Sequence, residues 1–468
     1  MPRLTHDRTT WLAYSQLALW GFFLYGFGPV VPLLRDEQGT SAAVAGLHST
    51  AIAVGALLGG ALFAPVARRI GRGRSAWLGL AGVAVGVTGF GTLRPLPATL
   101  AAVVVIATFG MMVISGVNVV LTAHHGPTAP AALTEANAAC AGMGILAPLL
   151  IGATVDAGLG WRPVMAVEVG LIALLALAAL TFRVRPPAAS PAVSVPAASP
   201  ALPVSAVPSA PPVLAASPAV SVPAASAEHA VRAVASRVGE PAVAPTRVPA
   251  GAGRARSGGL PRPYWIAWVL MAVTGSIEVC LSLWTADVLR SHAGLGAGAA
   301  SAAVAAIVGG MFLGRLAGGR AALRYRPVPL LVVALAVSLT GFAVFWVASV
   351  GWLAVTGLVV LGLGNALHYP LAISIALAVA GPAADKAAGW SSYSMGVGFG
   401  IAPVALGWVA DGVGPHPAFL LLPGFIATAA LLTLRLGRAL RPHDHDRHDE
   451  RQAAVSHRAQ PATSHTSV

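Results

Sequence analysis

The chain has 468 residues, of which 56% are hydrophobic and only 10% charged, whereas soluble domains carry about 25% charged residues. This composition excludes an ordinary soluble protein and predicts an all-α polytopic membrane protein. The formal net charge of +13 does not predict a nucleic-acid partner, because the basic residues flank apolar segments in the pattern of a membrane protein.

The first hydrophobic block predicts six membrane-spanning helices, since a helix needs about 20 apolar residues to cross a bilayer. They cover residues 11–34, 42–67, 75–93, 98–123, 133–155 and 163–182. A short polar N-terminus, residues 1–10, precedes this N-terminal half, which we assign to residues 11–185.

A segment rich in Pro, Ala and Ser follows at residues 186–261. One eleven-residue phrase occurs in it twice, at 189–199 and at 216–226. Proline removes backbone donors and interrupts helices, so this apolar-looking run cannot satisfy its backbone inside a bilayer. We therefore predict a disordered linker.

The second block predicts six more spans, at residues 264–286, 297–319, 327–349, 352–379, 389–410 and 417–434. We assign the C-terminal half to residues 262–436. A tail containing His and Asp follows at 437–468, and we expect it to be solvated and flexible. Its spacing predicts no metal site, and no motif in the chain predicts a cofactor.

The two blocks match each other at a constant offset of 255 positions. Glycine, proline and aspartate all take part, in the pairs Gly55 and Gly310, Gly59 and Gly314, Pro148 and Pro403, and Asp156 and Asp411. Two parallel repeats predict two pseudo-symmetric six-helix halves. The matched aspartates predict a repeated contact at a helix end.

Arginine is distributed unevenly between the loops. Clusters follow the second, sixth, eighth and twelfth spans, whereas the other side has isolated residues at Arg35, Arg94, Arg162 and Arg290. The positive-inside rule then predicts that both termini and the linker are cytoplasmic, in a multi-pass protein of the cell membrane.

The span pattern resembles the major facilitator superfamily, and local motifs agree. The sequence from Gly310 to Arg320, Gly-Met-Phe-Leu-Gly-Arg-Leu-Ala-Gly-Gly-Arg, resembles the Gly-Arg signature at the end of that family's eighth helix. After the second span, Arg68 stands where the family usually has an aspartate. The resemblance implies cytoplasmic gate roles for a set of residues: Arg69, Gly71, Arg72, Gly314, Arg315, Gly319 and Arg320.

A narrower resemblance is to the fucose permease-like sugar/proton symporters. The segment from Gly275 to Trp284 contains Glu278 and is similar to their seventh helix. The segment from Gly362 to Pro370 is similar to their tenth. This resemblance implies uptake of a sugar-like solute together with protons.

Glu278 is our candidate for proton coupling, because an ionisable group inside the bilayer must face a cavity or a partner. A structural pair with Arg315 is the alternative. Glu168 in the sixth span is a second possible carrier, with a structural role as its alternative. The candidates for solute binding are other polar or aromatic residues inside spans: Gln16, Tyr25, Asn118, Trp284, Asn365, His368 and Tyr369. For these, interhelical hydrogen bonds or an interfacial position are the alternatives.

Together these features predict a secondary active transporter that moves a small organic solute by alternating access, coupled to protons and acting as a monomer. Pro148 and Pro403 are predicted to bend helices that move during the cycle. One alternative is a proton-driven drug or metabolite efflux antiporter, and another is a transporter-like solute sensor. The sequence contains no enzyme signature and no nucleotide-binding loop.

Overall fold

A computed structural model of the chain describes residues 6–182 and 259–459. The predicted linker therefore lies outside the described residues, apart from positions 259–261. Six helices form the N-terminal half: α1 (Arg8–Gln38), α2 (Ala42–Ile70), α3 (Arg72–Thr92), α4 (Leu96–His125), α5 (Ala129–Asp156) and α6 (Arg162–Thr181). A short 3₁₀ turn, Gly126–Thr128, joins α4 to α5.

The C-terminal half repeats this arrangement. It contains α7 (Arg262–His292), α8 (Ala297–Arg324), α9 (Pro327–Val347), α10 in two segments (Gly351–Asn365 and His368–Ala380), α11 (Ala384–Val413), and α12, which is a short turn (Pro415–Ala418) followed by Leu421–Ala459. Twelve helices in the described part of the chain are long and apolar enough to cross a membrane. The predicted all-α fold with twelve spans is confirmed.

We predicted the tenth span as one continuous helix, but the structure divides it into two segments. It is interrupted at Ala366 and Leu367, four and three residues before Pro370. A proline has no amide hydrogen, and its ring collides with the carbonyl group four residues earlier. The break at Ala366 follows directly from that clash.

The last helix is longer than predicted. We placed the end of the twelfth span at residue 434 and a flexible tail from 437, but the backbone of α12 is helical as far as Ala459. Between Pro442 and Pro461 the sequence has neither proline nor glycine. No residue in that stretch therefore interrupts a helix.

The internal repeat is visible in how the helices pack. A Cβ atom at Gly55 of α2 would collide with the Val104 carbonyl oxygen of α4, and one at Gly310 of α8 would collide with the Val359 carbonyl oxygen of α10. Val104 and Val359 are themselves 255 positions apart. Small residues let membrane helices approach closely, and here the two halves use them at equivalent places.

The bundle has two ends that we name for use below. The terminal face is the end at which α1 begins and α12 finishes, and the loop face is the end that carries residues 39–41 between α1 and α2. At the loop face, ion pairs join the halves through α1 and α7. Arg290 Nη1 lies 2.8 Å from Asp36 Oδ2, and Arg35 Nη2 lies 3.1 Å from Asp287 Oδ1.

Candidate solute site between the two halves

A cavity of about 200 Å³ lies between the two halves. Four helices of each half line it, namely α1, α2, α4 and α5 on one side and α7, α8, α10 and α11 on the other. It lies on the terminal-face side of the ion pairs, because its lining residues Leu57 and Met395 are farther along α2 and α11 from the loop face. In transporters built from two such repeats, the solute site lies at the interface between the repeats.

The lining is apolar on one side and polar on another. Helices α1, α2 and α11 contribute mainly large apolar side chains, among them Trp20, Leu24, Ile52, Leu57, Met395 and Phe399. Helices α4, α5, α7, α8 and α10 contribute most of the polar groups: Asn118, Asn137, Glu278, Arg315, Asn365 and Tyr369. Such a cavity suits a solute with one apolar side and one polar side.

Glu278, the predicted proton carrier, lines this cavity from α7. It also lines a smaller neighbouring cavity of about 80 Å³, together with Tyr25 and Met311. The Arg315 guanidinium is close enough to interact electrostatically with the Glu278 carboxyl. In the described part of the chain, however, no ion pair within 4.0 Å joins them.

Arg315 lies deeper than the sequence motif suggested. The motif placed it at the end of the eighth helix, but α8 continues to Arg324. Nine residues at 1.5 Å each put Arg315 about 14 Å before that end. Its side chain reaches the cavity, interacts with Tyr25 and Cys140, and leaves Nε without a hydrogen-bond partner among the described residues.

Two further polar groups at the cavity have atoms without partners. Asn365 Nδ2 approaches Met311 Sδ at 3.8 Å, but Asn365 Oδ1 and Tyr369 Oη have no hydrogen-bond partner among the described residues. A buried polar atom without a partner is unfavourable by about 1–3 kcal/mol. These atoms are therefore available to a bound solute or to water.

Tyr25 is placed at the cavity by a close helix contact. Its ring packs against α5 at Gly144, where a Cβ atom would collide with the ring. Only glycine at position 144 leaves room for it. The phenol then interacts electrostatically with both Arg315 and Glu278.

Three predicted solute ligands lie away from the lining. His368 is buried with Nε2 3.0 Å from Ser338 Oγ of α9, and Trp284 Nε1 donates to the Pro403 carbonyl at 3.3 Å. Gln16 is buried in α1 but does not line the cavity. His368 makes the interhelical contact that was its alternative interpretation. Trp284, for which an interfacial position was the alternative, is instead buried against α11.

Glu168, the second candidate proton carrier, is also away from the cavity. It is fully buried in α6, and both carboxyl oxygens lack a hydrogen-bond partner among the described residues. Glu168 does not line the cavity between the halves, and both interpretations of it stay predictions.

The motif residues at the terminal face have surface positions. Arg69 and Arg72 are exposed on either side of Gly71, which joins α2 to α3 with φ at +91°. That angle favours glycine because other residues are strained there. These arginines remain predicted gate residues.

In the equivalent motif of the C-terminal half, Gly314 packs against the Leu363 carbonyl of α10. Gly319 and Arg320 belong to α8, but their surroundings lie outside what the structure describes. Pro148 and Pro403 lie inside α5 and α11, and the bending predicted for them stays a prediction.

Sequence reasoning missed Asn137 and Trp20 as lining residues. Asn137 and Cys140 are three residues apart on α5, so they share a helix face, and both line the cavity. That spacing is the signal that could have found Asn137. Trp20 packs over Gly110 of α4, a contact that no local pattern indicates.

The Major Facilitator Superfamily model matches residues 15–385 and, in a second match, residues 267–465. The chain belongs to the Major Facilitator Superfamily. Its members are membrane transporters, so the protein is a transporter and not an enzyme. No curated protein matches the chain's sequence.

Solved structures of other transporters share the fold. A bacterial homolog of the human lysosomal transporter Spinster, inward-facing and unoccupied, has a TM-score of 0.66 at 14% identity, covering 92% of this chain and 96% of that one. A D-xylose-proton symporter gives 0.63 at 14%, with coverages of 91% and 96%. FucP, in the outward conformation, gives 0.52 at 15%, with coverages of 91% and 98%.

Proposed function

We propose that the protein is a proton-coupled secondary transporter that moves a small organic solute through the cavity by alternating access. The supporting observation is the position of Glu278. It is an ionisable side chain on the cavity wall, between the two halves, and it also faces the smaller cavity beside it.

Glu278 provides a physical link between protonation and conformation. A carboxylate in contact with water is well solvated, whereas closure of the cavity removes that water and favours the neutral, protonated form. Each change of access therefore changes the affinity of Glu278 for a proton. A gradient of protons can then drive the conformational cycle.

The cavity favours a small solute over a drug-sized one. Its volume of about 200 Å³ is below the ~300–1,000 Å³ typical of drug-sized pockets. The amide and phenol groups on its polar side suit a hydroxylated, sugar-like molecule. Two alternatives remain for the transport experiment to decide. One is proton-driven efflux of a bulky drug, and the other is a sensor that binds solute without transporting it.

We propose further that the terminal face is cytoplasmic and that the monomer is the working unit in the cell membrane. The exposed arginines at the α2–α3 turn, Arg68, Arg69 and Arg72, support this orientation. A reporter fused after residue 441 should report cytoplasm. A reporter signal from the outer side would reverse the assignment.

The test of proton coupling uses the purified chain in vesicles with an imposed pH gradient and a panel of radiolabelled small solutes. Glu278→Gln keeps the shape of the side chain but cannot ionise. We expect this variant to lose pH-driven accumulation while it retains binding and exchange of labelled for unlabelled solute.

Glu168→Gln is the matched control, because it removes a buried carboxyl outside the cavity. We expect it to accumulate solute as the unsubstituted protein does. If Glu278→Gln accumulates solute normally and Glu168→Gln does not, the proton carrier is Glu168. If both accumulate solute normally, neither carboxyl couples transport to protons.

A further inference from the structure

We propose that the solute is a small organic anion whose carboxylate binds Arg315, an inference that rests on the proposed solute site and specifies its ligand. Arg315 was expected to act at the gate, yet its guanidinium reaches the cavity wall. The cavity therefore contains a cation at the position where the solute would bind.

The guanidinium is not fully used by the protein. Arg315 Nε has no hydrogen-bond partner among the described residues, and no carboxylate of the described chain lies within 4.0 Å of it. A guanidinium has five donor hydrogens arranged in a planar fork that matches the two oxygens of a carboxylate. Tyr25 already interacts with this guanidinium. A solute carboxylate is the chemical group whose two oxygens fit the donors that remain.

The charges that line the cavity explain how an anion and a proton could enter together. Glu278 and Arg315 are the charged residues among the described lining. When Glu278 is ionised, the two charges cancel, and an added anion would face a neighbouring negative charge. When Glu278 is protonated, the Arg315 charge is uncompensated, and a buried uncompensated charge is strongly unfavourable. A monoanion then restores neutrality.

The other titratable groups near Glu278 do not change this argument. Tyr25 faces it from α1, Tyr369 faces it from α10, and Cys140 of α5 lies beside Arg315. Phenol and thiol groups are neutral at physiological pH unless strongly perturbed. Glu278 is thus the neighbour of Arg315 whose charge state decides whether an anion is attracted.

The rest of the lining narrows the solute further. Asn118, Asn137 and Asn365 offer amide groups that can bind hydroxyl or carbonyl groups, whereas Trp20 and Phe399 offer apolar surfaces. A cavity of about 200 Å³ leaves room for a small molecule only. We therefore infer a small monocarboxylate that bears hydroxyl or carbonyl groups. An organic cation would meet Arg315 as a like charge.

Matched pairs of probes test this inference on the purified full chain. The pairs are glucuronate and glucuronamide, lactate and lactamide, and benzoate and benzamide, with glucose as a neutral sugar. Each acid is ionised throughout the chosen pH range, 5.5 to 7.5, so a pH effect reports on the protein. Isothermal titration calorimetry measures the dissociation constant of each probe.

We expect at least one carboxylate to bind about tenfold or more tightly than its amide, the size of one charge-assisted contact. Its affinity should also fall with rising pH, by up to about tenfold per pH unit, because one proton is taken up with the anion. The inference is wrong if no carboxylate binds, or if each amide binds as tightly as its acid.

Two variants assign the effect to named residues. Arg315→Gln should remove the preference for the acid over the amide, whereas Arg324→Gln, which removes an exposed guanidinium from the end of the same helix, should leave it unchanged. Glu278→Gln should bind the acid at every pH with the affinity that the unsubstituted protein has at low pH. Should Arg315→Gln fail to fold, a pH-dependent preference that survives in Glu278→Gln would overturn the proposal.

The outcomes separate this inference from the proposed function. If glucose is accumulated under a pH gradient and the acids do not bind, the solute class is wrong and proton-coupled transport stands. If the acids bind through Arg315 but no solute accumulates under a pH gradient, the anion site stands and proton coupling fails.

Discussion

The two halves meet along a pair of equivalent helix interfaces, α2 with α11 and α5 with α8, and these interfaces differ in their polar contacts. Both share one frame. A glycine lies against the start of the partner helix, Gly407 against Ala42 and Gly152 against Gly298, and an aspartate follows four residues later. The glycines and the aspartates obey the 255-residue offset, whereas the residues they meet are one position out of register, because Ala42 corresponds to Ala297. The frame therefore belongs to the repeat, with a shift of one residue in the partner helix.

The aspartates meet the partner helix as the repeat predicted. Asp411 accepts hydrogen bonds from the amides of Ala42 at 2.7 Å and Ala43 at 3.0 Å. Asp156 places its carboxylate against Gly298, near the start of α8. A carboxylate at a helix N-terminus is favourable because free amides and the helix dipole both face it.

The two interfaces differ in their hydrogen bonds one to two helical turns beyond Gly407, towards the centre of the bundle. Pro403 has no amide hydrogen, so the carbonyl of Phe399 loses its partner within α11. Ser49 of α2 donates to that carbonyl at 2.7 Å, and Thr50 donates to the neighbouring Gly400 carbonyl at 2.6 Å. The Ser49 hydroxyl of one half thus satisfies a carbonyl that a proline frees in the other half, and Thr50 adds a second hydrogen bond beside it.

The α5–α8 interface has the proline without the hydroxyl groups. Pro148 frees the carbonyl of Gly144, but the positions equivalent to Ser49 and Thr50 are Val304 and Ala305. The repeat therefore kept its packing frame and diverged in its hydrogen bonds. An apolar interface has fewer directional contacts to break when the halves move, so we expect α5 and α8 to separate more easily.

Substitution of the glycines in the shared frame should destabilise the protein more than any other change considered below. A Cβ atom at Gly407 would lie 2.5 Å from the Ala42 carbonyl oxygen, and one at Gly152 would lie 2.6 Å from the Gly298 carbonyl oxygen. Because backbone cannot yield easily, we expect Gly407→Ala and Gly152→Ala each to destabilise the protein by about 2–3 kcal/mol. Thermal unfolding in detergent measures this.

Gly412→Ala is the matched control on α11, since no atom lies within 4 Å of its Cβ position. It should be neutral or slightly stabilising, because alanine favours a helix over glycine by about 1 kcal/mol. Equal effects at Gly407 and Gly412 would show that the close approach of α2 and α11 is not tightly packed.

Removal of the hydroxyl groups tests the difference between the interfaces. Ser49→Ala combined with Thr50→Val leaves the carbonyls of Phe399 and Gly400 without these donors, and we expect a loss of about 1–2 kcal/mol. Ser15→Ala is the control, because among the described residues Ser15 Oγ bonds to the Trp11 carbonyl of its own helix and to no other helix.

Pro403→Ala sharpens this test through a double-mutant cycle. Alanine restores an amide for the Phe399 carbonyl, so Ser49→Ala should be less damaging in that background than in the unsubstituted protein. Additive effects of Ser49→Ala and Pro403→Ala would mean that the proline does not create the need for Ser49.

The converse change should have the smallest effect. Val304→Thr introduces a hydroxyl group on α8 at the position equivalent to Ser49. If it reaches the Gly144 carbonyl, we expect stabilisation of about 0.6 kcal/mol, the average for hydrogen bonds between membrane helices. Slower solute exchange in vesicles should accompany it, and faster exchange would contradict the argument that polar contacts hold this interface closed.

The sequence alone determined the number of spans, the repeat and the contacts that the repeat implies. Hydrophobic length is a local property, and a constant offset of glycine, proline and aspartate reports equivalent packing in the two halves. The break in α10 also has a local cause in Pro370, although we expected a continuous span there.

Only the tertiary structure decided which polar residues reach the cavity. Asn365 and Tyr369 line it, whereas His368, one residue before Tyr369, turns to Ser338. Successive residues of a helix point about 100° apart, so one position separates a solute ligand from an interhelical bond.

Arg315 shows the same limit on a larger scale. Its motif indicated a gate, but its depth depends on where α8 ends and on how α1, α5 and α7 pack around it. A polar residue in a membrane span indicates that its side chain needs a hydrogen-bond or charge partner. Whether that partner is a neighbouring helix or a solute depends on the rotation of every helix in the bundle, which no local pattern contains.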